Sequence, residues 1–471
     1  MINNTFLDTD AYKITHWMQR PMNLNKFHSY GEPRVGGQHD KVTFFGLQYI
    51  LQNYFTHTQG NLEEAQIFSK GVFGADYFPK DIWKKVRDLG YLPLEISAIP
   101  EGTIVNTGCS CFSIENTEPW FAPMVSHFED YLMQVWYPTA VATRGTIIYQ
   151  GMKPLFDKSC DVKPEWFVQD FGLRGCSTME TAILGGMAHL LNFRSTDNLP
   201  ALYNLQNTYK ADHNYGSVWA TEHSVATVWG KDREIEYVMA QLMRSDPSKI
   251  ISIVIDSYDS DNFINNVIGN PAIVSIIKNR PGKVVLRPDS GDIWRNVSTY
   301  TEMLSDIFGF TVNKKGYKEL NNVGVLQGDG MNERSIIDLY TKYVESGWAA
   351  SNLVVGSGGG LLMEGLTRDT DRWAVKCSYA EIGGKPIDVM KSPKTDLSKA
   401  SKAGKLLTYR TTDYETYSIK ANERKHDMND ELLTRVVWRN GQCECLESMG
   451  TIKNRLSYGI RKEITTLSYL H

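Results

Sequence analysis

Residues 352–369, NLVVGSGGGLLMEGLTRD, are the stretch on which the reading of this chain turns. A short run of β-branched residues ends in Gly356, Ser357, Gly358, Gly359 and Gly360, and an apolar, helix-like pattern follows. Glycines at a strand end let successive backbone N–H groups converge on one point, and a helix N-terminus adds partial positive charge there. That combination suits a phosphate. Glycine runs also make plain loops, so the run alone leaves both readings open.

Three preceding apolar runs end in the same manner. Residues 250–255 (IISIVI) lead into Asp256, Ser257, Tyr258 and Asp259, and residues 283–286 (KVVL) into Arg287, Pro288, Asp289, Ser290, Gly291 and Asp292. Residues 323–326 (VGVL) lead into Gln327, Gly328, Asp329 and Gly330. Helix-like patterns such as 333–345 (ERSIIDLYTKYVE) separate them, at a repeat of roughly 30 to 40 residues that matches βα units. Hydrophobicity along the runs is continuous rather than alternating, as in strands buried on both faces. An irregular, TIM-like (β/α) barrel with its chemistry at the strand C-ends is the expected architecture, with an open doubly wound sheet as the competing topology. Upstream, residues 168–171 (VQDF) before Gly172-Leu173-Arg174-Gly175 read as an earlier strand end, and 177–191 as a helix capped by Ser177.

Residues 1–150 are mixed α and β without that period, and the segment after 385 is basic and then strand-like. The expected organisation is an N-terminal α+β segment over 1–150, a catalytic barrel over 151–385, and a C-terminal segment over 386–471 packing with the first as a second domain. The chain has 471 residues, 42% of them hydrophobic, and a net charge of −4, which argues against nucleic acid or an anionic membrane as main partner. No apolar run approaches the roughly 20 residues of a membrane span, and the start has no signal-peptide layout. Seven cysteines, an odd and sparse set, fit reduced thiols and a cytoplasmic location. The pairs Cys109/Cys111 and Cys443/Cys445 read as two sulfurs on one strand face, without a second pair for zinc.

Acids at several strand ends beside a phosphate cradle suggest Mg²⁺ or ribose hydroxyls, although Asp, Ser and Gly are also ordinary turn formers. His223, in Glu222-His223-Ser224 after Ser217-Val218-Trp219, could take up a phosphoryl group or move a proton, or be a satisfied structural histidine. Tyr12 and Phe171 could stack on a flat heterocycle, and Arg34 could meet a phosphate; either could equally be core or surface.

Taken in order, DTDAYKITHW (8–17), SYGEPR (29–34), DFGLRGCSTMETA (170–182), HLLNFRSTD (189–197), GSVWATEHS (216–224), WGKDRE (229–234), IDSYD (255–259), LRPDSGD (286–292), QGDG (327–330), GSGGGLL (356–362), LTRD (366–369) and KCSY (376–379) resemble the nicotinate/nicotinamide phosphoribosyltransferase family, the type II phosphoribosyltransferases, over nearly the whole chain. The resemblance implies a glycosyltransferase of NAD salvage. Its products would be nicotinamide mononucleotide and pyrophosphate, its substrates nicotinamide and phosphoribosyl pyrophosphate, with Mg²⁺ and ATP coupled through a phosphohistidine. It also implies a homodimer with active sites at the interface. Phe171 would stack on the pyridine ring, with Tyr12 of the neighbouring subunit on its other face, and Asp197 would accept the carboxamide NH₂. Arg174, Ser217 and Arg287 would line the substrate site. Asp289 would hold ribose hydroxyls, with Asp256 beside it. Gly328, Asp329, Gly358 and Gly359 would take the ribose and its 5′-phosphate, near Arg368. His223 would be phosphorylated by ATP, and Arg34, Lys376, Lys391 and Lys399 would meet pyrophosphate or ATP phosphates. The resemblance leaves the metal ligands unassigned, with Mg²⁺ held mainly through pyrophosphate.

A carboxylate at Asp197 favours an amide and repels the carboxylate of nicotinate, so the resemblance implies nicotinamide as the base. Leu173 stands where the family usually has an aromatic residue, Trp219 where a small residue or proline is common, and Met363-Glu364-Gly365 makes the link to Arg368 one residue longer. The alternatives are a nicotinate-specific phosphoribosyltransferase, a non-catalytic interaction protein of the same fold, and an unrelated phosphate-binding barrel. The last lacks the strand-end lysine or paired glutamates its acid–base chemistry would need.

Overall fold

The runs read above as doubly buried strands form one parallel sheet in the computed structural model, which describes residues 4–56, 60–392, 400–423 and 427–468. Its strands are β1 (Val168–Asp170), β2 (Ser195–Thr196), β3 (Trp219–Ala220), β4 (Ile251–Val254), β5 (Val284–Arg287), β6 (Val323–Gln327) and β7 (Leu353–Ser357). They lie in the order β2-β1-β7-β6-β5-β4-β3. Every residue of β1, β4 and β6 is buried, which is why these segments carry no polar alternation. The fold is α/β: helices such as Met179–His189, Ile293–Phe308 and Glu333–Glu345 connect the strands. The two edges of the sheet approach one another through a single parallel bridge, Ser195 to Gly216.

Two local expectations shift. The helix expected from Ser177 begins at Met179, because the Thr178 hydroxyl, not Ser177, accepts the Thr181 amide. The helix expected after the glycine run is one turn only, Gly359–Leu362. By contrast Glu333–Glu345 occupies its expected span, closed by a reciprocal cap between Asn332 and Ser335.

By internal contacts the chain divides into two units. The parallel sheet belongs to Arg144–Asn204 with Asp212–Glu364; the other unit is Met1–Thr143, Leu205–Ala211 and Gly365–His471. These breaks lie before the 150 and 385 drawn from sequence. The segment after Gly365 resumes as Ala374–Ile382, which pairs antiparallel with Leu24–Glu32 and so belongs with the N-terminal residues. The return at Leu205–Ala211 left no compositional sign because it begins inside a continuous helix, Leu199–Tyr209.

The second unit is built on a seven-stranded sheet that mixes N- and C-terminal segments, with Leu24–Glu32, Phe112–Asn116 and Leu94–Ala98 at its centre. Its core gathers Trp83, Phe55, Phe112, Trp373 and Trp438, all fully buried. Cys109 and Cys111 are buried, and none of the seven cysteines forms a disulfide. No helix among the described residues is long and apolar enough to cross a membrane.

Candidate active site

The C-terminal ends of β1, β2, β3, β5, β6 and β7 and the loops after them line an open cavity of about 910 Å³. Parallel strands place their C-ends on one rim, so residues far apart in sequence converge there. Phe171, Arg174, Asp197, Arg287, Asp289, Gly328, Asp329, Gly358 and Gly359, all picked out from sequence, line it. So do Thr221, Asn332 and Glu364, to which the sequence assigned no role and which the folding of their loops brings in.

One wall is aromatic. The Phe171 ring lies against Gly356, where an added Cβ would sit 2.0 Å from a ring carbon, so only glycine leaves room for the ring in this position. The Arg287 guanidinium lies 5.8 Å from the ring centre and donates to the Thr221 carbonyl at 3.0 Å. Beneath Phe171, Asp170 is fully buried, accepting the Gly172 amide at 2.7 Å and the Thr196 hydroxyl at 2.8 Å. These bonds fix the turn that presents Phe171 and Leu173. Asp197 faces the cavity with Oδ1 bound by the Gln169 amide at 2.8 Å and by the Ser217 hydroxyl. Its Oδ2 takes no bond from the described residues. Gln169 is therefore a site residue that carried no sign of its own in the sequence.

The acids after β4 and β5 do not act alike. Asp256, nearly buried, accepts the Asp289 amide at 2.9 Å and the Ser290 hydroxyl at 2.6 Å through Oδ2. Its Oδ1 is buried without a hydrogen-bond partner among the described residues. His223 stands opposite, with Nε2 3.6 Å from Asp256 Oδ1 and 3.6 Å from Asp289 Oδ2, and Nδ1 3.1 Å from the Ser257 hydroxyl. The imidazole is about half exposed. Asp259 and Asp292, which sequence grouped with these acids, instead cap helices by accepting the Asn262 and Arg295 amides. Among the described residues no group of three or more His, Cys, Asp or Glu side chains is arranged to hold a metal ion.

The glycine loop lies beside Phe171, since β7 pairs with β1. A Cβ at Gly360 would strike the Met331 carbonyl at 2.3 Å, and one at Gly328 would meet Asp289 Oδ1 at 2.7 Å, so both loops need glycine for close packing. The following helix is too short to add an appreciable dipole.

Tyr12, Arg34, Arg368, Lys376 and Lys391 belong to the other unit. Tyr12 is exposed, on a segment that Asp130 anchors by accepting the Thr9 hydroxyl at 2.9 Å and the Asp10 amide at 3.0 Å. Lys376 has its pKa lowered by burial and then by Arg34, with Lys391 and Arg368 adding to the effect and Glu129 opposing it. Lys376 thus lies near Arg34, Lys391 and Arg368, of which Arg368 is paired with Asp369 at 2.9 Å. Lys399 lies outside the described residues. Lys402 and Lys405 of the same basic stretch are engaged in ion pairs with Glu32 and Glu115.

Parallel strand ends carrying an aromatic wall, paired acids, a histidine and a glycine loop define an α/β enzyme that handles a phosphorylated substrate. Residues 167–441 match the nicotinate phosphoribosyltransferase (NAPRTase) family, and residues 4–96 match the nicotinamide phosphoribosyltransferase N-terminal domain. A nicotinamide phosphoribosyltransferase of Xanthomonas campestris pv. campestris (strain 8004) is 37% identical over 456 residues, covering 94% of this chain and 95% of that one. Among solved structures, human nicotinic acid phosphoribosyltransferase superposes with a TM-score of 0.64 at 15% identity, covering 97% of this chain and 94% of that one. The nicotinate-nucleotide pyrophosphorylase of Pyrococcus furiosus gives 0.63 at 13%, covering 98% and 96%. The chain belongs to the nicotinate phosphoribosyltransferase family, and is thus a pentosyltransferase.

Proposed function

We propose that this chain forms nicotinamide mononucleotide and pyrophosphate from nicotinamide and phosphoribosyl pyrophosphate, coupled to ATP hydrolysis through His223, in the salvage of NAD. The observation that carries the choice of base is Asp197, a cavity carboxylate with one oxygen held by Gln169 and Ser217 and the other open. An open carboxylate oxygen accepts an amide N–H and repels a second carboxylate. The Xanthomonas relative bears the name of the same reaction.

In this reading Phe171 supports one face of the pyridine ring, and Arg174 and Arg287 line the substrate. Asp289 takes ribose hydroxyls, and Gly328, Asp329, Gly358 and Gly359 take the ribose and its 5′-phosphate. The pyridine nitrogen uses its lone pair to form the bond to the anomeric carbon while the bond to pyrophosphate breaks, its electrons leaving with the pyrophosphate oxygen. No proton is transferred, so the protein's contribution is alignment and charge stabilisation. Magnesium enters as the chelate of the substrate's phosphates. The carboxylates of Asp256 and Asp289 on the Nε2 side of His223 favour a proton on Nε2, and the Nδ1 lone pair, once the Ser257 hydroxyl turns away from it, attacks the γ-phosphorus of ATP. ADP leaves with the electrons of the broken P–O bond, and water later returns phosphate and the free imidazole.

The cationic neighbourhood of Arg34, Arg368, Lys376 and Lys391 takes pyrophosphate or ATP phosphates. We further propose a homodimer in which the partner subunit's Tyr12 covers the second face of the pyridine, and an irregular barrel as the full form of the parallel sheet. Cysteines without disulfides suit a reducing cytoplasm.

The test is mononucleotide formation from each base with Mg²⁺, with and without ATP. Nicotinamide should be used far better than nicotinate, and ATP should stimulate; turnover of nicotinate in preference would overturn the assignment. His223→Ala should lose ATP hydrolysis yet retain slow transfer, whereas undiminished hydrolysis refutes the phosphohistidine.

A further inference from the structure

The cradle Gly358-Gly359-Gly360 has its carbonyls tied. Ser357 O accepts the Phe171 amide at 2.9 Å, Gly358 O accepts those of Leu361 and Leu362, and Gly359 O accepts those of Met363 and Glu364. A peptide group is planar and trans, so tying its carbonyl aims its N–H the opposite way. The amides of Gly358, Gly359 and Gly360 are those aimed groups. The carbonyls of Gly360, Leu361 and Glu364 are tied instead by a side chain.

Arg144 supplies it. The side chain is almost fully buried, and it donates to Gly360 O at 2.9 Å, Leu361 O at 3.0 Å and Glu364 O at 2.7 Å. Its Nε lies 3.9 Å from the Glu333 carboxylate, which offsets the buried charge. A guanidinium has donors in a fixed fork, so three carbonyls bound by one such group leave the turn little freedom to tilt. A cation on the carbonyl side also polarises the peptides it binds and their neighbours in the chain of hydrogen bonds.

We propose that Arg144 is a positioning residue for phosphoribosyl transfer: from outside the cavity it locks the turn Gly360–Glu364, and so holds the three cradle amides on the 5′-phosphate of the donor. This rests on the phosphate reading of the glycine loop given above. Arg144 never meets the substrate. Its loss would spread the amides apart, and misplacement by about 1 Å is enough to cost a large share of binding.

The experiment compares wild type with Arg144→Lys and Arg144→Gln, each keeping a donor in the buried site. Both are measured for steady-state constants and for binding of ribose 5-phosphate by calorimetry. The expected result is a KM for phosphoribosyl pyrophosphate raised about tenfold or more, a matching loss of ribose 5-phosphate affinity, and a KM for nicotinamide changed by less than about twofold. Arg144→Lys should retain more than Arg144→Gln. Folded variants with unchanged donor KM and unchanged ribose 5-phosphate affinity would overturn the proposal. Equal losses for both substrates would also overturn it, as a purely structural role. Should the Arg144→Gln protein not accumulate, Arg144→Lys alone decides by the same two readings. A wild type that binds ribose 5-phosphate but makes no mononucleotide would fail the reaction assigned above, while the binding comparison would still judge Arg144.

Discussion

At Asp197 two donors crowd one oxygen, which fixes the carboxylate plane and leaves the second oxygen for a ligand. Asp197→Asn should therefore cut nicotinamide use by roughly tenfold to a hundredfold, about 1.5–3 kcal/mol for a lost charge-assisted bond, while nicotinate use rises or holds. Competition between the two bases reads this directly. In the other unit, Glu101 is buried and its pKa is pushed up to about 7, chiefly by desolvation, against the pull of hydrogen bonds from Gln48 and Tyr209. A carboxyl whose folded pKa is raised favours the folded state most when protonated. Its contribution is complete below about pH 4.5 and is lost as pH rises toward 7. Glu101→Gln should consequently gain stability over wild type at pH 8, by about 1–3 kcal/mol, and lose that advantage near pH 4.5. Urea midpoints for both proteins at the two pH values would show it; a gain independent of pH would refute it. Asp197 was legible because it ends a motif, whereas Gln169 and Glu101 were not. An interior polar side chain leaves no periodic trace, and its importance depends on partners such as Ser217 and Tyr209 far along the chain.

Among the elements, the strand ends were the most legible part of the molecule. Runs such as 251–254 and 323–327 are buried on both faces, and a doubly buried strand cannot disguise itself as anything polar. The short turn Gly359–Leu362 was misread as a longer helix because apolar residues continue past the glycines, yet Leu361 and Leu362 are simply buried packing. For Asp259 and Asp292 the sequence leaves both readings open, because an acid after a strand and an acid capping the next helix look alike. The pairing of Gly356 with Phe171 gives an element-level test. Gly356→Ala leaves β7 with an acceptable backbone but forces the ring aside. Overpacking of this kind costs about 1–3 kcal/mol. The KM for the pyridine substrate should rise several-fold while that for phosphoribosyl pyrophosphate changes little. An unaltered pyridine KM would mean the ring has room to move and is not the platform.

For the molecule as a whole, the contact breaks lie away from the sequence boundaries because they fall within continuous structure. Leu205–Ala211 interrupts neither the hydrophobic pattern nor the helix it begins in, and no composition change marks Glu364/Gly365. What the breaks do show is that one unit is largely an excursion from the other, leaving at Arg144, touching back at Leu205–Ala211 and ending at Glu364. Those two residues are joined by the hydrogen bond from the Arg144 guanidinium to the Glu364 carbonyl. Closing an unstructured loop of roughly 220 residues costs about 5 kcal/mol in chain entropy. Once the excursion has folded and its ends are fastened together, that cost has already been met. Strand Ala374–Ile382 then finds Leu24–Glu32 as though the intervening chain were short. The same guanidinium thereby becomes an assembly staple, and its effect belongs to kinetics. Refolding of Arg144→Lys after dilution from urea, followed by protection of the Leu24–Glu32 amides in pulsed hydrogen exchange, should show that strand pairing late. The amides of Ile251–Val254 should be protected at their usual rate. Simultaneous protection of both strands at the wild-type rate would show that the excursion closes without help from its stem.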